Sequence, residues 1–218
     1  MISLKKITDP LTEPVTAAEV KLHTRISYSD EDALINMWIA AGRRLAEMYQ
    51  RRAYISQQWE LSFDGFPSMP LDLPRPPLVS ISQVSYFDKD DTETVIYSND
   101  TDQSTTTPAP VGTSTTTTTA EPNVITDSGY FGIDTSTEPG RIYLKYLQTW
   151  PSVTLRPADA FKIRYWAGYG PTSASVPQTV RDAIMLYCAY RNENRAGEIT
   201  EAPKQFFDLL RPDRIFTP

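Results

Sequence analysis

SDEDALINMWIAAGRRLAEMYQRR, residues 29–52, runs directly into AYISQQWELSF, residues 53–63. In the first stretch Leu34, Ile35, Trp38, Ile39, Ala41, Leu45, Ala46, Met48 and Tyr49 recur at three- and four-residue spacing, the period of a helix. Ser29 offers a hydroxyl cap, and Asp30, Glu31 and Asp32 set carboxylates at the positive end of the helix dipole. Arg51 and Arg52 sit against the negative end. The spacing predicts one helix over 30–52, roughly six turns long. In the second stretch Ile55, Gln57, Trp59, Leu61 and Phe63 alternate with Ser56, Gln58, Glu60 and Ser62, which predicts a strand. A long helix feeding a strand makes the chain α+β.

Working towards the N-terminus, Thr16 and Glu19 have the spacing of a capping box, and a short helix is expected over about 14–23. Towards the C-terminus, Pro67, Pro70, Pro74, Pro76 and Pro77 impose an extended connection. Strands are expected at 79–86, 94–97, 129–134, 141–147 and 161–166. Pro177 opens a further helix in which Val180, Ala183, Ile184, Tyr187, Cys188, Tyr190 and Arg191 form a stripe to about Arg195, with Gly197 as its stop. Residues 203–210 are expected to add one or two turns.

Residues 98–123 are a Thr-rich, low-complexity loop with almost nothing to bury. The expected organisation is an N-terminal helical part over 1–53, a β-rich antiparallel insert over 54–172, a C-terminal helix over 173–195 and a C-terminal arm over 196–218. The N-terminal helices and the C-terminal helix would form a small bundle, with the sheet to one side.

Across 218 residues the hydrophobic share is 40% and the charged share 22%, ordinary for a globular protein. No apolar run approaches membrane-spanning length, and the first ten residues lack the apolar core of a secretion signal. A single cysteine, Cys188, suits a reducing compartment, so folding is expected in a cytoplasm. The net charge of −6 argues against a nucleic-acid-gripping face, since phosphate neutralisation dominates that affinity. An acidic wall could still line a DNA passage without holding the duplex.

Catalytic equipment is sparse. His23 is the only histidine, so neither a histidine triad nor a multi-histidine metal site can form within one chain. Cys188 lies on an apolar helical stripe, where a thiol acts as a small hydrophobe. Helix capping accounts for Asp30, Glu31 and Asp32. Residues 88–99 open like a calcium loop but carry Glu93 at the sixth position and Asn99 at the twelfth, so a turn is expected. No enzyme activity, cofactor or metal is expected. Arg43, Arg44, Arg51 and Arg52 read as a solvated face or as makers of salt bridges between subunits. The C-terminal Phe206, Phe207, Leu209, Leu210, Arg211, Arg214, Ile215 and Phe216 allow two readings. They either cover the chain's own core or form an arm that anchors to a partner. An arm is expected, so that deletion of 203–218 leaves a folded monomer.

Several stretches together resemble the head–tail connector (adaptor, or head-completion) proteins of tailed bacteriophages. They are residues 13–23, 30–35 and 39–47, Gln57-Gln-Trp59, residues 73–79, Tyr165-Trp-Ala-Gly-Tyr169, residues 176–184 and Leu209-Leu-Arg-Pro212. Each alone is a cap, a strand or a turn; the resemblance lies in their order and spacing across 13–212. The Thr-rich stretch departs from the family's shorter loop. The resemblance implies a homo-oligomeric ring of roughly twelve copies beneath the portal protein. It would link head to tail in the virion neck and bind a downstream tail, stopper or nozzle protein. DNA would pass through it without sequence-specific binding, and no membrane would be involved. The arm, about 196–218, would dock on the portal. Arg43, Arg44, Arg51, Arg52 and the C-terminal residues named above are the expected interface. A different reading is a tail or fibre module that binds a host surface and displays the Thr-rich loop.

Overall fold

The computed structural model describes residues 2–99, 130–195 and 202–215. Most of the Thr-rich loop, Gly197 and Phe216 therefore lie outside the described residues. Helices and antiparallel sheets share the chain, which is α+β.

The chain opens with strand β1 (Ile2–Thr8) and helix α1 (Ala17–Thr24). Thr16 and Glu19 close the expected capping box, side chain to backbone in both directions. Helix α2 (Asp32–Gln50) follows. The hydroxyl cap expected at its start does not form: Glu31 is the N-cap residue and makes no side-chain cap bond. Those carboxylates hold other elements instead. Asp32 accepts from Lys21 Nζ at 2.9 Å, and Glu31 pairs with Arg195.

Strands β2 (Gln57–Phe63), β3 (Leu71–Asp72), β4 (Leu78–Phe87) and β5 (Glu93–Ser98) come next. Beyond the undescribed stretch lie β6 (Phe131–Asp134), β7 (Arg141–Leu144) and β8 (Phe161–Ala167). Helices α3 (Gln178–Glu193) and α4 (Lys204–Leu210) close the chain, with a 3-10 turn at Arg211–Asp213. Among the described residues one sheet has the order β1-β2-β8-β4-β5 and the other β3-β7-β6, all pairs antiparallel. The N-terminal segment, read as helical from the sequence, thus supplies an edge strand of the larger sheet, with Leu4 opposite Leu61.

Two apolar clusters result. One lies between the sheets, where Leu61, Phe63, Phe161, Ile163 and Tyr165 of the larger sheet meet Phe131 and Ile142 of the smaller. Phe66 stacks on Trp150 at 4.9 Å within it, and Trp150 Nε1 donates to Pro67 O at 2.9 Å. The other joins the helices: Ile35, Trp38, Ile39 and Ala46 of α2 pack with Val180, Ala183, Ile184, Tyr187 and Cys188 of α3 and with Phe206 and Leu210 of α4. Burial of this much apolar surface is the main term holding the helices together. The chain passes from one cluster to the other at residues 53–55, since Ala53 belongs to the sheets and Tyr54 and Ile55 to the helices.

Candidate functional site

The C-terminal half of α2 gathers most of the residues expected at an interface. Its inward side is a closed polar network. Arg43 forms a two-pronged pair with Glu13, Nε to Oε2 at 2.7 Å and Nη2 to Oε1 at 3.1 Å, and its Nη1 donates to Glu47 Oε2 at 3.0 Å. Glu47 Oε1 accepts from the Tyr54 amide at 3.1 Å and from Gln57 Nε2 at 2.8 Å. Glu47 thereby ties α2 to the first residues of the sheet. Burial pushes its carboxyl above the usual range, although Arg43 and the two N–H donors pull the other way. Arg43 is pulled down by burial, but its bonds to Glu13 and Glu47 outweigh this and leave it above its ordinary value.

At the end of α2, Arg51 adopts the left-handed conformation of a C-cap and its amide donates to Glu47 O. The same carbonyl accepts from Arg75 Nη1 at 2.9 Å. Arg52, buried, donates through Nε to Asp213 O at 2.6 Å and pairs through Nη2 with Glu138, in the loop between β6 and β7, at 2.6 Å.

The C-terminal segment is fastened here. Gln50 Nε2 donates to Leu210 O at 2.6 Å, Tyr54 Oη donates to Gln50 Oε1 at 2.6 Å, and the Ile215 amide donates to Gln50 O at 3.1 Å. Phe207 meets the Tyr49 ring at 5.0 Å, and the Arg214 guanidinium lies 4.7 Å over that ring. Phe206 and Leu210 are fully buried. Residues 202–215 therefore cover the chain's own core, which replaces the expectation of a free arm over this stretch. The physical reason is the spacing of Phe206 and Leu210: four residues apart, they share one face of α4 and fill the groove between α2 and α3.

The expected interface set thus divides. Arg43, Arg52, Phe206 and Leu210 are buried within the chain, and Phe207, Arg214 and Ile215 are half-buried against it. Arg44, Arg51, Leu209 and Arg211 are exposed. Glu13, Glu47, Gln50 and Tyr54 organise this region without having been singled out in the sequence. Their signal is weak there, because a lone Glu or Gln on a helix is ordinary until its partner, 30 or 160 residues away, is known.

A shallow groove of about 420 Å³ lies beside this network, its lining including Leu4, Met48, Arg51, Asp72, Arg75 and Ile215. Elsewhere, Asp88 Oδ1 accepts from the amides of Asp90 and Thr92, the turn expected there. Cys188 is buried, its thiol pushed up to about 12 by desolvation. Among the described residues, no three His, Cys, Asp or Glu side chains converge as metal ligands, and no helix is long and apolar enough to cross a membrane.

No family model matches the sequence, and no curated protein matches it. Solved structures do. A chain from the neck of an empty gene transfer agent particle, computed with C6 symmetry, superposes with a TM-score of 0.69 at 16% identity, covering 99% of this chain and 97% of that one. A chain from the neck of the native particle, computed with C12 symmetry, gives 0.67 at 16% identity, with 99% and 97% covered. A chain of the native gene transfer agent virion gives 0.68 at 16% identity, with 99% and 96% covered. The fold of this chain, from end to end, is similar to that of chains from gene transfer agent particles, two of them from the neck.

Proposed function

We propose that this chain is a structural neck protein of a tailed phage or phage-like particle, a head–tail adaptor that forms a ring beneath the portal and lets DNA pass. The observation that carries the reading is the end-to-end fold match to neck chains. It agrees with the ordered motifs across residues 13–212. The sixfold and twelvefold symmetries with which those necks were computed fit a ring of twelve copies. The net charge of −6 fits a passage that repels duplex rather than holding it.

On this reading the chain works mechanically and is not an enzyme. The helices form a small bundle on the portal side, and the two sheets face the tail-side partner. The chain folds in the bacterial host cytoplasm and ends in the virion neck. The exposed Arg44, Arg51, Leu209 and Arg211 belong to the contact surface, while the buried members of the expected set shape it from beneath.

Co-sedimentation with the portal of the same particle tests the proposal. The expected result is a portal that carries this chain in a fixed ratio. A portal that sediments without it, under conditions in which the chain remains folded, would contradict the reading.

A further inference from the structure

Just past β7 the chain turns back, and the Gln148 amide donates to Lys145 O at 2.9 Å. The turn displays Tyr146 and Leu147, neighbours in sequence that are 91% and 83% exposed. Leu147 holds the left-handed backbone conformation, φ 66°, which costs any residue that carries a Cβ and which Asn adopts more readily. Exposed apolar area and backbone strain thus coincide at one spot, a combination that marks binding surfaces more often than structural turns.

The turn is braced from beneath. The Lys145 amide donates to Tyr130 O at 3.1 Å, and Tyr130 Oη donates to Thr149 O. One residue further on, Trp150 is locked against Phe66 and Pro67 O. A braced loop loses little freedom when it binds, so its apolar side chains act as preorganised anchors.

The groove of about 420 Å³ beside α2 suits such a pair. Leu4, Met48 and Ile215 of its lining are apolar, whereas Arg51, Asp72 and Arg75 are charged. A leucine fits the apolar part, and a tyrosine fits the mixed part, with its ring on carbon and its hydroxyl towards polar groups. Knob and groove lie far apart on one chain. In the smaller sheet, of order β3-β7-β6, Asp72 of the groove belongs to β3 at one edge, and Tyr130, the brace of the turn, directly precedes β6 at the other. Along β7, Pro139 of the groove comes before the strand and Tyr146 comes after it. The two features therefore sit at opposite edges and opposite ends of that sheet. A closed ring of head-to-tail contacts needs two different, complementary patches on opposite sides of one chain. This knob and this groove meet that requirement.

We infer that the Tyr146–Leu147 tip of one copy seats in the groove beside Met48 of the next copy. The inference rests on the neck reading for the ring and adds the surface by which copies meet. It concerns self-contact alone, so the purified chain tests it without a portal. Sedimentation at rising, up to millimolar, concentration should show self-association of the wild-type chain. A knob variant (Tyr146→Ser with Leu147→Asn) or a groove variant (Met48→Glu) should raise the concentration of half-association about thirtyfold or more, as loss of central apolar anchors does. The mixture decides the pairing. The knob variant keeps its groove and the groove variant keeps its knob, so an equimolar mixture should form one-to-one dimers and nothing larger. All three side chains are exposed, so unfolding midpoints should stay near wild type, and the knob variant, relieved of strain at residue 147, at or above it. A wild-type chain that stays monomeric at millimolar concentration overturns the contact. So do variants that associate like wild type, or a mixture that forms no dimer. A knob variant with a clearly lowered midpoint overturns it too, because the tip would then serve the chain's own stability. Portal binding decides the neck reading separately: a chain that self-associates through knob and groove yet ignores the portal would sink that reading and leave this contact standing.

Discussion

Glu47 is a carboxylate buried at the joint between helices and sheets, held by Arg43, the Tyr54 amide and Gln57. Burial raises its folded-state pKa above the ordinary glutamate value of 4.5. A raised carboxyl favours the protonated form in the folded state. The stability of wild type relative to Glu47→Gln should therefore be greatest below about pH 4.5 and fall as pH rises through the folded pKa. Glu19 shows the opposite sign. Bonds to the Thr16 backbone, opposed by desolvation and helped by the Thr16 hydroxyl and Arg181, hold its carboxyl below 4.5. Its advantage over Glu19→Gln should be full above about pH 4.5 and vanish as pH falls through the lowered value. Urea midpoints of the three proteins from about pH 3 to 7 check both slopes; parallel curves would remove these roles. At the C-terminus, Phe206→Ala should cost about 3–5 kcal/mol, since the ring is fully buried against Tyr187. Arg211→Ala, on an exposed side chain, should stay within about 0.5 kcal/mol in the same thermal or urea unfolding experiment.

At the scale of elements, α2 and α3 were legible because their apolar residues repeat at helical spacing over four turns or more. Strands β2, β4 and β8 were legible from alternation, and β8 keeps it strictly, with Phe161, Ile163, Tyr165 and Ala167 all buried. The strand β1 was not. Its Ile2, Leu4 and Lys6 alternate too weakly to announce an edge strand, whose partner β2 lies more than fifty residues on. The two-residue β3 carries no local pattern at all. The site was less legible than the fold: sequence singled out arginines and aromatics around α2 and the C-terminal segment but could not tell inward from outward. Phe206 and Leu210 looked like an arm because nothing local reveals the groove they fill between α2 and α3. Truncation after residue 195 should consequently destabilise the whole chain rather than release a folded monomer, as the fall in melting temperature would report. An unchanged melting temperature would restore the free arm. Gly42 makes the same point about the helix pair. A glycine within a helix costs about 1 kcal/mol relative to alanine, yet here any side chain meets Tyr187. Gly42→Leu should lower stability by about 1–3 kcal/mol or more, by overpacking.

For the whole molecule, the proposed neck reading draws on two things, the resemblance carried by scattered motifs and the end-to-end similarity in fold to chains from gene transfer agent particles. Within the protomer, the two apolar clusters are joined by Glu47, which ties α2 to the start of β2, and by Arg52, which reaches Glu138 and the Asp213 carbonyl. The most direct test of the neck assignment is electron cryomicroscopy of the particle to which this chain belongs, averaged about the portal axis. The expected result is twelve copies of this fold as a ring between portal and tail, with the axis open for DNA. Density for this fold elsewhere in the particle, or a portal joined directly to the tail with no place for it, would contradict the account.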